Sequence, residues 1–180
     1  MQLNVAGDAE DWRAAGFTID ADGGCRVGRV RMQTGAGEHG IASWSPEAAG
    51  TEPAGHANGA VILDHLVVFT DDADRTIASY TDLGLELRRV RDTGRGTTQS
   101  FFKTGEVIIE LVGPIPNVRG EQPWGLAFTV RDLDACADLF GDRLGRIKDA
   151  VQPGRRIATL RHEAFGLSVP IAFMSDRERR

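Results

Sequence analysis

An imidazole and a carboxylate stand within otherwise apolar runs, His65 in LDHLVVF and Glu110 in VIIELVG. Successive side chains of an extended segment point to opposite faces, so His65 shares a face with Leu63, Val67 and Phe69, and Glu110 with Ile108 and Val112. Among aliphatic neighbours such groups are costly unless they meet each other, a metal or a ligand. As a pair in a cleft they suit proton transfer, with Glu110 as base or acid, its pKa raised by burial, and His65 orienting it or polarising a substrate oxygen. The plain alternatives are a core histidine donating to a carbonyl and a glutamate paired with Arg88 or Arg89.

Three further stretches carry polar or aromatic candidates. In AVQPGRRIATL a Pro-Gly turn precedes two arginines that open a strand, which sends one of Arg155 and Arg156 to each face. A guanidinium facing a cleft would hold a carboxylate, phosphate or enolate oxygen through paired hydrogen bonds, whereas one facing outward would meet surface acids. QSFFKTG places Gln99 and Phe101 on one face and Phe102 on the other, so one aromatic is expected to line a cavity and one to enter the core. Gly94 and Gly96 in DTGRGT lack the lysine and dinucleotide spacing of a phosphate loop and suggest a hairpin. His39 and His56 fall in Gly-rich or linker sequence, where exposure is expected. Cys25 and Cys136 form no CxxC pair and are expected in the core.

The elements that must position these residues repeat. LDHLVVFTDDAD (63–74) and PWGLAFTVRDLD (123–134) superpose with a shift of 60 positions, which puts Gly125 on His65 and, after a one-residue gap near Gly84 and Gly145, Pro170 on Glu110. Each copy reads as a strand, an acidic cap, a short amphipathic helix and three more strands, a βαβββ unit. Asp132 is expected to cap a helix with Leu133, Cys136, Ala137 and Phe140 on one stripe. Ile77, Tyr80 and Leu83 repeat that stripe, and Gly84 and Gly145 end the two helices. Residues 3–12 match 66–75, and GFTID, GCRVGRVRMQ and GIASW follow as candidate strands of a shortened third unit. SPEAAGTEPAGHANG reads as a linker and SDRERR as a solvated tail. The expected organisation is a degenerate unit at 1–44, a linker at 45–59, a first module at 60–116, and a second module with its tail at 117–180.

Gly125 shares its face with Ala127 and Thr129, and Pro170 with Ser168 and Ala172. Such small residues would leave one wall of a cleft trimmed for an organic ligand, unless Gly125 and Pro170 merely mark a bulge or an edge strand. Composition sets outer bounds. With 180 residues, 41% of them hydrophobic and 26% charged, the chain can bury a core. A net charge of −5 argues against nucleic acid as a partner. No apolar run approaches the ~20 residues of a membrane span, and the start lacks a basic and apolar leader, so a cytoplasmic protein without a membrane partner is expected.

Paired βαβββ units with His in LDHLVVF and Glu in VIIELVG resemble the vicinal-oxygen-chelate superfamily of glyoxalases, bleomycin-resistance proteins and extradiol dioxygenases, over residues 60–175. The resemblance implies an α+β fold in which two modules form a curled mixed sheet around a cleft. The N-terminal βαβββ-like segment would pack beside them or across a homodimer. It also implies that His65 and Glu110 match two positions that hold a divalent metal ion in metal-dependent members, while Gly125 and Pro170 offer no side-chain ligand at the other two. A third ligand would have to come from Gln99, His162, another chain or the substrate.

Three readings follow. In the leading one the protein binds a small organic molecule, anionic or neutral, in its cleft, with Glu110 as the candidate for proton transfer on it. Arg155 or Arg156 then holds negative charge, and Gln99, Phe101, Gly125 and Pro170 shape the pocket. In the second, a metal-dependent lyase, isomerase or dioxygenase uses His65 and Glu110 as ligands. In the third, a drug or metabolite is sequestered without chemistry. No cofactor beyond that metal ion is implied.

Overall fold

The computed structural model describes residues 1–37, 39–46 and 55–176. Most of the expected linker and the end of the charged tail therefore lie outside the described residues. The first module begins with β5 (Ala60–Thr70), followed by α2 (Ala73–Asp82), β6 (Glu86–Asp92), β7 (Thr98–Thr104) and β8 (Val107–Gly113). The second repeats this order with β9 (Glu121–Val130), α3 (Leu133–Phe140), β10 (Lys148–Asp149), β11 (Arg156–Thr159) and β12 (Ile171–Ser175). In each, the first strand lies parallel to the last, β5 to β8 and β9 to β12. The two modules join through antiparallel pairing of β5 with β9. The product is one mixed eight-stranded sheet in the order β10-β11-β12-β9-β5-β8-β7-β6, open at both edges, and the expected α+β fold of paired βαβββ modules holds.

The N-terminal segment supplies β1 (Gln2–Val5), α1 (Ala9–Ala14), β2 (Gly24–Val27), β3 (Val30–Gln33) and β4 (Ile41–Ser45), again one strand, one helix and three strands. Its pairing differs. The sheet runs β2-β3-β1-β4, with β1 parallel to β3 and antiparallel to β4, so its last strand has crossed to the other side of its first. GFTID forms no strand, and GCRVGRVRMQ is a hairpin of β2 and β3 turning at Gly28, whose φ of 59° suits glycine. The DTGRGT turn likewise joins β6 to β7 as an antiparallel hairpin.

Local sequence explains the helices. Asp72 accepts from the Arg75 amide, and Asp132 from the Asp134 and Ala135 amides, which satisfies orphan donors at the starts of α2 and α3. In α3 the expected stripe of Leu133, Cys136 and Phe140 is buried. In α2 the inward residues are Thr76 and Tyr80, while Leu83 lies past the last turn at 72% exposure. Gly84 follows α2 with positive φ, but α3 stops at Gly141 rather than Gly145.

One face of the large sheet carries α2, α3 and the N-terminal unit. Phe17 of that unit packs 5.0 Å from Phe128, between centroids, and Phe140 stacks on Phe173. Trp12, Phe128 and Phe173 are fully buried in this layer, as is Phe102 on the helix side of β7. Cys25 and Cys136 are buried, and burial pushes both thiols up to about 12. His56 departs from expectation. It is buried, its Nδ1 accepting from the Thr18 amide and its Nε2 meeting the Arg26 carbonyl, so it ties the chain after the linker to the N-terminal unit. No helix among the described residues is long and apolar enough to cross a membrane.

Candidate functional site

The opposite face of the sheet lines a cavity of about 590 Å³. Val67, Phe69 and Val112 form part of its wall, with His65 and Glu110 among them. Their strands are paired in register, His65 beside Ile108 and Val67 beside Glu110. Gln99 and Phe101 on β7 line the same cavity, and the Gln99 side-chain amide donates to Glu110 Oε1 at 2.7 Å. From the second module come Gly125, Ala127, Ile157, Pro170, Ala172 and Met174. Alternation is the physical reason: residues two apart on each strand share the cavity face, and the intervening aliphatics fill the helix face.

Two bulges in the β5–β9 ladder change what that face carries. Leu63 pairs with Phe128 and His65 with Ala127, so Asp64 is an extra residue. Leu63 consequently turns into the core, against the expected alternation. Asp64 meets His65, its Oδ1 lying 2.8 Å from His65 Nδ1. A further shift, between Val67 and Val68, makes Trp124 an extra residue beside Gly125. Trp124 stacks on Phe69 with centroids 4.8 Å apart and stays 43% exposed at the cavity wall. Gly125 thus both borders a bulge and lines the cavity. A Cβ there would approach the Pro170 carbonyl to 3.1 Å, a tight contact that the chain before β12 would have to relieve by a few tenths of an ångström.

The arginines expected in the cleft are elsewhere. Arg155 precedes β11, in a turn where strand alternation does not apply, and lines no part of the cavity. Its buried guanidinium is held at three points: Nη2 donates to Asp64 Oδ2 at 2.6 Å and Thr129 Oγ1 at 2.8 Å, and Nε donates to the Ser175 carbonyl at 2.8 Å. Arg156 turns outward and grips Asp134 on α3 through two bonds of 2.9 and 2.7 Å. Among the described residues the lysine or arginine that lines the cavity is Lys148 on β10. His162 lies in a short 3-10 turn beside Glu163, away from the cavity, and Ser168 accepts from the Gly40 amide instead of lining it.

Electrostatics separate the two carboxyls. Burial raises the Glu110 pKa, and His65, Gln99 and Arg91 only partly oppose it. Burial also acts to raise that of Asp64, but hydrogen bonds from His65, Arg155 and Thr129 overcome it and hold Asp64 far below the ordinary carboxylate range. Glu110 is thus biased toward its acid form and Asp64 is fixed as a carboxylate. Above them the turn after β10 brings Gln152 Nε2 to 3.5 Å from His65 Nε2.

A divalent ion tests poorly against this donor set. His65 Nε2 and Glu110 are two donors. Gly125 and Pro170 supply none, and a catalytic metal site ordinarily takes three protein ligands. Among the described residues no three His, Cys, Asp or Glu side chains gather to hold a metal. Gln99 lines the same cavity but presents its amide nitrogen to Glu110 Oε1, so as they stand these residues do not fit a resident metal. Asp64, Lys148, Gln152 and Trp124 carried no signal of their own in the sequence, because a bulge and a loop closure place them.

Comparison with curated proteins yields no match. Among solved structures, the chain is similar to methylmalonyl-CoA epimerase from Mycobacterium tuberculosis, with a TM-score of 0.54 and 24% identity over 65% of this chain and 89% of that one. A fusion protein of a xylose isomerase-like TIM barrel and a 4-hydroxyphenylpyruvate dioxygenase gives a TM-score of 0.63 at 11% identity, over 99% of this chain and 49% of its own. A glyoxalase I mutant from Zea mays gives 0.50 at 11% identity, over 99% and 68%. These likenesses establish a shared fold. The family model for the glyoxalase/bleomycin resistance protein/dioxygenase superfamily matches residues 64–159, more than half of the sequence and the stretch that holds both His65 and Glu110, and the chain belongs to that superfamily.

Proposed function

We propose that the protein binds a small, largely apolar organic molecule in the cavity between its two modules and transfers a proton on it with Glu110. The observation that carries this reading is a mostly buried carboxyl, biased toward its acid form, that faces an apolar cavity of about 590 Å³. Among the described residues no cation forms an ion pair with Glu110, and burial favours its protonated form. Gln99 holds one carboxyl oxygen and thereby fixes the direction of the other. The stacked pair Phe69 and Trp124, with Phe101, suits a flat carbon skeleton. Since neither Arg155 nor Arg156 reaches the cavity, any negative charge on the ligand falls to Lys148.

Trp124 is a built-in reporter. A panel of aromatic and aliphatic carbonyl compounds, titrated while its fluorescence is followed, is expected to contain members that quench or shift it. Trp124→Phe identifies the signal. Ala172→Phe projects a ring into the cavity and is expected to weaken binding at least about tenfold, with little change in thermal stability. Undiminished binding in Ala172→Phe, or no binder in the panel, removes the reading.

A further inference from the structure

We propose that Asp64 is the positioning residue of this site. It holds His65 with the proton on Nδ1, so that the Nε2 lone pair faces the cavity and His65 serves as the proton acceptor. This rests on the reading of the cavity as a ligand site. His65 Nδ1 lies 2.8 Å from Asp64 Oδ1, and a carboxylate can only accept, so Nδ1 carries the hydrogen. Asp64 cannot turn away, because its other oxygen accepts from Thr129 Oγ1 at 2.5 Å and from Arg155 NH2 at 2.6 Å. Arg155 is locked in turn by the Ser175 carbonyl. The Gln152 amide nitrogen, which can only donate, approaches Nε2 at 3.5 Å, a long contact of the sense that a lone pair there requires.

This arrangement divides the labour on the cavity face. His65 Nε2 takes a proton from the ligand, and the electron pair of the broken bond stays on the ligand. Glu110 in its acid form delivers a proton to a second ligand atom. The ligand loses one proton and gains one, leaving an imidazolium and a carboxylate that exchange with water to reset the site. Asp64, which touches no ligand, stabilises the imidazolium and selects the tautomer. Arg155 keeps Asp64 ionised and aimed.

The tautomer is directly observable. The full chain, labelled with nitrogen-15 in histidine, is examined by long-range proton–nitrogen correlation at about pH 8, above the ordinary imidazole range. The His65 signals are those missing in His65→Gln. The wild-type ring is expected to show a protonated Nδ1 and a bare Nε2, and Asp64→Asn, which turns an acceptor into a mixed amide, is expected to lose that single form. A wild-type ring carrying hydrogen on Nε2, as the other tautomer or as imidazolium, overturns the proposal. So does an unchanged tautomer in a folded Asp64→Asn. If that variant does not fold, the wild-type spectrum decides alone. Ligand binding reported by Trp124 is scored separately, so a failed tautomer leaves the cavity reading standing, and a failed binding titration leaves the tautomer standing.

Discussion

Asp64→Ala is expected to lose about 3–5 kcal/mol of stability, because it leaves the Arg155 guanidinium buried without its carboxylate. Side-chain exposure is 6% for Arg155 and 16% for Asp64, so solvent cannot replace the lost partner. Urea unfolding of the full chain measures the loss. The double variant Asp64→Ala/Arg155→Met is expected to recover most of it, since the cost lies in the orphaned charge. The pH dependence follows from the depressed folded pKa of Asp64. Its contribution is fully present above the unfolded value of about 4, and falls away as the pH drops below it toward the folded value. The stability gap between wild type and Asp64→Ala should therefore be widest near neutrality and narrow in acid. A gap that stays constant down to about pH 2 contradicts the ion pair drawn here.

Glu110→Gln is expected to slow proton transfer by about 10²–10⁴-fold, the usual contribution of a positioned acid or base. The substitution keeps the shape of the side chain, and Gln99 retains an oxygen to bond. Ligands found by Trp124 titration should therefore bind within a small factor of wild type. The rate is read as deuterium uptake from heavy water into the bound compound. Stability moves the opposite way. A raised folded pKa means that the native carboxyl keeps its proton where the unfolded chain has lost it, so wild-type stability declines as pH rises from about 4.3 through the folded value. Glu110→Gln lacks that decline and should be the more stable form at neutral pH. Loss of rate with gain of stability marks a residue kept for chemistry. If wild type and variant bind alike and neither exchanges a proton, the cavity sequesters its ligand and the catalytic reading is wrong.

The cavity also bears on metal use within the superfamily. Gly125 and Pro170, the counterparts of His65 and Glu110 in the internal repeat, line the second half of the cavity without a donor atom between their side chains. That asymmetry leaves the imidazole and the buried carboxyl on the first module's strands alone. His65, Gln99 and Glu110 come from the first module and Ala127, Ile171, Ala172 and Met174 from the second, with Lys148 and Asp149 on β10.

Much of this architecture follows from amino-acid order alone. Two copies of a strand, an aspartate cap and a short amphipathic helix, displaced by a constant number of residues, determine the modules, because alternation and capping are local effects. The same alternation grouped Gln99 with Phe101, His65 with Val67 and Phe69, and Glu110 with Val112, strand by strand. Tertiary structure alone decided the rest. The bulge that sets Asp64 beside His65 arises from pairing between β5 and β9, whose paired residues lie some sixty positions apart. Arg155 closes on Asp64 across 91 residues, and a turn delivers Gln152 to His65 across 87. Strand register and turn direction are settled by which surfaces bury against each other when the modules meet, and a one-residue slip reverses every side chain's face. For that reason the sequence singled out His65 and Glu110 as candidates, while only the folded chain showed what holds them.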